Sequence, residues 1–142
     1  MTQISFFHGA RDRLQAAAQW VNTAYSQNTS VLIYAPDEAH ANIIDRLLWT
    51  QPALGFTPHC RVGDALAGET SILITSTLDS HLKNHVLVNL SNNIPDAFER
   101  FSKIVEIIDL QDDVKRPGRE RFRFYRAQGC VLESHDLSKE IQ

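Results

Sequence analysis

Five short apolar runs restrict the fold of this chain more than any other feature. They are ISFFH (residues 4–8), VLIYA (31–35), SILITS (71–76), HVLVNL (85–90) and KIVEIIDL (103–110). A strand with one solvated face alternates apolar and polar residues, whereas a strand covered on both faces is apolar throughout. The runs therefore predict a mainly parallel β-sheet with helices on both of its faces.

Amphipathic segments separate these runs. After Asp12, apolar residues at helical spacing predict a helix with Arg13 on its solvated face; they are Leu14, Ala17, Ala18, Val21 and Tyr25. A second helix begins near Pro36 and Asp37 and is predicted to bury Ala39, Ile43 and Leu47. A short helix follows Pro95, a long one spans Asp112–Ala127, and residues 50–69 are predicted to form an irregular surface segment. The order predicts a Rossmann-like α/β/α sandwich of three layers.

Length and composition limit the class of protein. The chain has 142 residues, 43% of them hydrophobic, so we expect one domain over residues 1–142. A net charge of −3 argues against general binding to nucleic acid or to an anionic membrane. Two cysteines, Cys60 and Cys130, form neither a disulfide framework nor a zinc motif, and no apolar window is long enough to span a membrane. These features predict a cytoplasmic protein.

Residues 63–70, GDALAGET, imitate a phosphate-binding loop. The spacing of the two glycines and of Thr70 is correct, but Glu69 stands where the loop needs a lysine to neutralise phosphate. The segment also leads into a predicted strand, whereas a phosphate-binding loop leads into a helix. We expect no nucleotide cofactor here.

No other motif indicates catalysis or metal binding. His81 and His85 are four residues apart but lack the glutamate of a zinc protease motif, and no serine or cysteine lies in a nucleophile signature. The sequence therefore predicts no catalytic residues, no metal site and no cofactor.

Charge is distributed unevenly along the chain. Residues 115–126 carry six basic residues and one acidic residue, a net charge of +5, which leaves eight basic and sixteen acidic residues elsewhere, a net of −8. On a helix, Lys115, Arg119, Phe122 and Arg126 share one face. Cations beside an aromatic ring suit an acidic peptide with an apolar end. The residues alone leave open a solvated helix that only pairs with acids of the same domain.

The segment LWTQPALGFTPH (residues 48–59) combines two large aromatic residues with two prolines. Proline-stiffened loops that display aromatic side chains are typical of protein-binding hot spots. A small core beneath the loop is the alternative.

The order of these motifs resembles one family. ISFFH, VLIYAPDEAHANIIDRLLW, PALGFTPH, ILITS, FSKIVEIIDL and GRERFRFYRAQG, in this order over nearly the whole chain, resemble the chi subunits of bacterial DNA polymerase III holoenzyme. The resemblance implies a non-catalytic clamp-loader accessory with an α/β/α fold and no nucleotide site.

The resemblance also implies two protein partners. One surface is expected to bind the psi subunit through Trp49, Pro52, Phe56 and Pro58. Another is expected to bind the acidic C-terminal tail of single-stranded DNA-binding protein, which ends in phenylalanine, through Ile108, Lys115, Arg119, Phe122, Arg123 and Tyr125. Nucleic acid would be met only through that second partner, and no membrane is involved.

Two features depart from the family pattern. Phe122 stands where a tyrosine is common, so the ring is kept and a hydroxyl is lost. Pro117 and Gly118 lie where an unbroken helix is expected, and a helix that begins at Pro117 would move Lys115 into a loop. The alternatives from other classes are a degenerate nucleotide-binding enzyme using residues 63–70 and a direct nucleic-acid binder using residues 115–126.

Overall fold

A computed structural model describes residues 2–50, 60–61, 72–78, 86–95 and 98–139. The strands in these ranges are β1 (Gln3–Ala10), β2 (Val31–Tyr34), β3 (Cys60–Arg61), β4 (Ile72–Thr75), β5 (Val86–Asn89), β6 (Lys103–Asp109) and β7 (Val131–Asp136). The α-helices are α1 (Arg13–Ser26), α2 (Glu38–Thr50) and α3 (Asp112–Ala127), with short 3-10 turns at Phe98–Arg100 and Leu137–Lys139.

The seven strands form one sheet in the order β3-β4-β2-β5-β6-β1-β7. Every pair of neighbouring strands is parallel. In the register of β5 and β6, Asn89 lies opposite Glu106, near the carboxyl ends of both strands. The predicted parallel sheet is confirmed.

Alternation along the strands produces two separate cores. Val31, Ile33, Val88, Val105 and Ile107 pack with α1 and α2 on one face of the sheet. Residues adjacent to these in sequence point to the opposite face. They include Leu32, Leu87 and Ile104, which pack with Tyr125 of α3. The sheet is thus covered on both faces, which confirms the predicted three-layer α/β/α architecture.

The predicted strands are largely correct, with three differences. β1 continues past Gly9, which adopts φ +78, and its pairing with β6 shifts between Phe7 and Ala10. β7 was not predicted, because it is a largely exposed edge strand without an apolar run. β3 lies within the segment predicted to be irregular.

Two predicted helix faces need correction. In α1, Arg13 is buried, although it was assigned to the solvated face, and Tyr25 is exposed. In α2, Ile43 is 44% exposed. Over residues 38–48 of this helix the buried residues are Ala41, Ile44 and Leu48, so the predicted face of Ala39, Ile43 and Leu47 is rotated from the true one. Among the helices of the described ranges, none combines the length and apolarity needed to cross a bilayer.

Candidate functional site

Helix α3 carries most of the predicted binding residues. It spans Asp112–Ala127, as predicted, and passes through Pro117 without a break, so the alternative start at Pro117 is wrong and Lys115 is helical. Pro117 has no amide hydrogen for the carbonyl of Asp113, four residues earlier. The side-chain amide of Asn92 donates to that carbonyl at 3.4 Å, which partly replaces the missing bond.

A buried carboxylate lies beneath α3. Glu106, on β6, is fully buried and accepts three hydrogen bonds. Asn89 Nδ2 and the Tyr125 hydroxyl donate to its Oε2 at 2.9 and 2.8 Å, and Arg121 Nε donates to its Oε1 at 3.1 Å. Because a buried carboxylate is costly unless it is paired and hydrogen-bonded, these contacts define how α3 sits on the sheet.

Arg121 is only partly satisfied. Its side chain is 2% exposed, and Nε is committed to Glu106. Both terminal nitrogens are buried and have no hydrogen-bond partner among the described residues. Arginine normally uses its terminal nitrogens to bind carboxylates in a bidentate manner. The two terminal nitrogens of Arg121 are therefore, within the described part of the chain, unpaired hydrogen-bond donors directly below the surface of α3.

A second buried guanidinium lies at the carboxyl ends of β5 and β6. Arg13 Nε donates to the Ile107 carbonyl at 2.7 Å, and its Nη2 donates to the Ser91 carbonyl at 2.8 Å. Burial lowers the pKa of Arg13 to about 10, with Arg121 acting in the same direction and Glu106 opposing. Arg13 thus joins the start of α1 to the sheet at the edge where α/β proteins usually bind ligands.

Tyr125 belongs to the core. It is 0% exposed, and it contacts Phe98 edge to face at 5.6 Å between ring centroids. Burial raises the pKa of the Tyr125 phenol, and the charge of Glu106 and its hydrogen bond raise it further. Tyr125 was predicted to contact a ligand. In the structure its side chain is inaccessible to solvent and packs between α3 and the sheet.

The remaining predicted residues of the tail site are distributed over the outer side of α3 and its border with the sheet. Arg119 is exposed, and Lys115 and Phe122 are half-buried. Phe122 packs against Phe6 with ring centroids 5.2 Å apart, and Ile108 is almost fully buried beneath the helix. Arg123 is exposed and pairs with Glu120 at 3.0 Å. Helical geometry brings Lys115, Arg119 and Phe122 onto one face, as predicted.

The predicted psi surface is described only at its beginning. The backbone of Trp49 belongs to the last turn of α2. Pro52, Phe56 and Pro58 lie outside the described residues, as do the loop at residues 63–70 and the pair His81 and His85. Within the described ranges, no group of three or more His, Cys, Asp or Glu side chains is arranged to hold a metal ion.

Sequence reasoning missed the buried polar residues. Glu106 carried a signal, because it stands between the apolar pairs Ile104–Val105 and Ile107–Ile108. Asn89 carried the same signal in HVLVNL. Arg13 carried none, since its partners at and just beyond the carboxyl ends of β5 and β6 are 76 to 94 residues away.

Comparison with known proteins relates nearly the whole chain to one family. The profile of the family described as "DNA polymerase III chi subunit, HolC" matches residues 1–133. The chain is 27% identical over 143 residues to the DNA polymerase III subunit chi of Pseudomonas aeruginosa, a match that covers 98% of this chain and 99% of that protein.

Two further relatives bear the same name. The DNA polymerase III subunit chi of Escherichia coli is 31% identical over 105 residues, 73% of this chain and 71% of that protein. The subunit chi of Haemophilus influenzae is 30% identical over 124 residues, 87% of this chain and 86% of that protein. The fold agrees with the resemblance drawn from the motifs, and the chain belongs to the DNA polymerase III chi subunit family.

Proposed function

We propose that this protein is a non-catalytic accessory subunit that links the clamp loader of DNA polymerase III to single-stranded DNA-binding protein. One surface, at the end of α2, binds the psi subunit. Helix α3 binds the acidic C-terminal tail of single-stranded DNA-binding protein. The protein acts in the cytoplasm, at replication forks on the nucleoid, and touches nucleic acid only through that partner.

The observation that carries the proposal is the exposed cation and half-buried ring on one face of α3. Arg119 is exposed and has no ion-pair or hydrogen-bond partner among the described residues, and the half-buried ring of Phe122 lies one turn further along the helix. A peptide that ends in phenylalanine presents a carboxylate next to an aromatic ring. A guanidinium with an adjacent ring complements both groups.

The charge of the rest of the chain favours a short acidic peptide over DNA. Outside residues 115–126 the net charge is −8. A long polyanion that extended beyond the basic helix would therefore be repelled by the acidic remainder of the domain. A tail of a few residues can remain within the basic region. Direct binding of DNA by residues 115–126 is the competing function.

Titration of a tail peptide tests the proposal. An acidic peptide that ends in phenylalanine is added to the wild type and to Arg119→Glu, and binding is measured by calorimetry. Arg100→Glu is the matched control, because Arg100 is also exposed but lies on the 3-10 turn at Phe98–Arg100. We expect Arg119→Glu to abolish binding and Arg100→Glu to retain it. Equal effects of both variants, or tight binding of free oligonucleotide, would contradict the proposal.

A further inference from the structure

A chain of hydrogen bonds joins the two ends of α3 through the sheet. Near the C-terminal end, the Tyr125 hydroxyl donates to the buried carboxylate of Glu106 on β6 at 2.8 Å. The same carboxylate accepts a hydrogen bond from the side-chain amide of Asn89 on β5 at 2.9 Å. In the first turn of α3, the Asp113 carbonyl accepts from the side-chain amide of Asn92 at 3.4 Å. Both ends of α3 are thus tied to the end of β5 and the residues that follow it.

Asn89 organises the residues that follow β5. Its side chain is fully buried, and its Nδ2 donates to the Asn93 carbonyl at 3.1 Å as well as to Glu106. Its Oδ1 accepts from the backbone amide and the hydroxyl of Ser91, at 3.0 and 2.6 Å. The side chain thus uses both amide hydrogens and its carbonyl oxygen, and a buried polar network that is fully satisfied is rigid. Asn89 therefore determines where Asn92 reaches α3, because the residues on either side of Asn92 are the two that it holds.

The first turns of α3 depend on this contact because they lack two bonds that helices normally make. Pro117 has no amide hydrogen for the Asp113 carbonyl, and the N-cap residue Gln111 makes no side-chain hydrogen bond to the helix. Asn92 supplies the missing donor from outside α3. Lys115 lies two residues after Asp113 and is half-buried, so a shift of the first turns moves its side chain relative to the rest of the helix.

The last turns of α3 have anchors of their own. Glu106 also accepts from Arg121 at 3.1 Å, and the ring of Phe122 packs against Phe6 with 5.2 Å between centroids. These contacts do not involve Asn89. Loss of the Asn89 amide would therefore release the first turns while the last turns remain on the sheet.

We propose that Asn89 is a positioning residue for the face of α3 that carries Lys115 and Phe122. It acts through Asn92, which fixes the first turns, and it does not contact the partner itself. The spacing of the two side chains on that face is thus set from β5, outside the helix. The inference rests on the proposed function, that this face of α3 binds a peptide.

Asn89→Asp tests the proposal by nuclear magnetic resonance and peptide titration. Aspartate keeps the acceptor for Ser91 but places a carboxylate, in place of a donor, against Glu106. We expect the backbone amide signal of Lys115 to shift, and binding of an acidic peptide that ends in phenylalanine to weaken by roughly threefold or more. Adding Glu106→Gln restores a donor–acceptor pair between the two positions and should recover part of the affinity. No recovery would mean that the first substitution acts by general destabilisation, and the proposal would be wrong.

Val88→Ala is the matched control. Val88 is the preceding residue of β5 and is buried in the opposite core, so its truncation destabilises the domain without touching the network. Measured well below its melting temperature, this variant should bind the peptide as the wild type does. Equal weakening by Val88→Ala and Asn89→Asp would rule out the positioning role.

Asn92→Ala breaks the same link at an exposed residue, so it tests the proposal even if Asn89→Asp does not fold. We expect a similar loss of affinity, and no further loss when the two substitutions are combined, because both act on one link. Normal binding by Asn92→Ala, or losses that add, would overturn the proposal. If the wild type does not bind the peptide, the proposed function is wrong. If it binds and both variants bind equally well, the proposed function stands and only the positioning role is wrong.

Discussion

Gly118 of α3 lies directly against Ile108 of β6. A Cβ atom placed on Gly118 would be 2.7 Å from Ile108 Cδ1 and 3.3 Å from Ile108 Cγ1. Atoms at the first of these distances overlap, so the close approach of α3 to the sheet depends on the missing side chain. Glycine is unusual inside a helix, and at position 118 it is explained by the close packing of α3 against Ile108.

We expect Gly118→Ala to lower the free energy of unfolding, and Ile108→Val to suppress much of that loss. Overpacking costs about 1–3 kcal/mol, and alanine returns up to about 1 kcal/mol through its higher helix propensity. Valine lacks Cδ1, the atom nearest the new methyl group. Urea unfolding of the two single variants and the double variant measures the coupling; additive effects would mean that the two residues do not clash.

The contribution of Tyr125 to the free energy of unfolding should decrease above about pH 10. The pKa of Tyr125 is raised in the folded state, so its contribution is present below the unfolded value of about 10 and is lost as pH rises above it. We expect the difference in unfolding free energy between wild type and Tyr125→Phe to shrink above pH 10, by about 1.4 kcal/mol per pH unit. The pKa of Arg13 is lowered in the folded state, so Arg13 changes the free energy of unfolding with pH in the opposite direction. This change is the same in both proteins and cancels in their difference. A difference that stays constant from pH 8 to 11 would refute this.

Removing one partner of the buried ion pair should cost more than removing both. Glu106→Leu leaves the Arg121 guanidinium buried without its carboxylate, and such changes cost about 3–5 kcal/mol. We expect Arg121→Met in the Glu106→Leu background to recover part of that loss. Thermal unfolding of the double variant below that of Glu106→Leu alone would show that the pair is not coupled.

Two substitutions on α3 should differ in their response to salt. Arg119→Glu removes a guanidinium and adds a like charge, so its effect on tail-peptide binding should diminish as salt screens charges over about 10 Å at 0.1 M. Phe122→Ala removes apolar contact and should weaken binding similarly at every salt concentration. Since Phe122 also packs on Phe6, binding is measured well below the melting temperature of the variant. Identical salt profiles would argue against separate roles for the two side chains.

The psi surface is tested by Trp49→Ala and Phe56→Ala. Aromatic anchors cost about 2 kcal/mol or more on truncation, roughly a thirtyfold loss of affinity. We expect each variant to lose the psi subunit while retaining the tail peptide and the unfolding free energy of the wild type. A double variant that loses several kcal/mol of stability would assign both rings to the core.

Local sequence predicted the elements whose signal is contained within the element. β2, β4, β5 and β6 follow from apolar runs, and α3 was placed at its observed ends. β7 could not be found in this way, because an exposed edge strand needs no apolar run. The face of α2 was misplaced because Ile43 and Ile44 are adjacent and both apolar, and only tertiary packing decides which one is buried.

The buried polar residues show the limit of local reasoning more directly. Arg13 looks like a solvated helix residue until the carbonyls of Ile107 and Ser91 are brought to it by the parallel sheet. Lys115, Arg119 and Phe122 could be grouped from helical spacing alone. The contact between Asn92 and α3 could not, because Asn92 lies outside the helix, in the residues that follow β5.

The placement of α2 and α3 on opposite faces of the sheet has a consequence for assembly. The two helices belong to different cores, with the full thickness of the sheet between them. A partner bound to the outer side of α3 and one bound to the outer side of α2 would therefore lie on opposite faces of the sheet and would not collide. If the psi subunit docks at α2 as proposed, a ternary complex can form in either order, because neither partner competes with the other for surface.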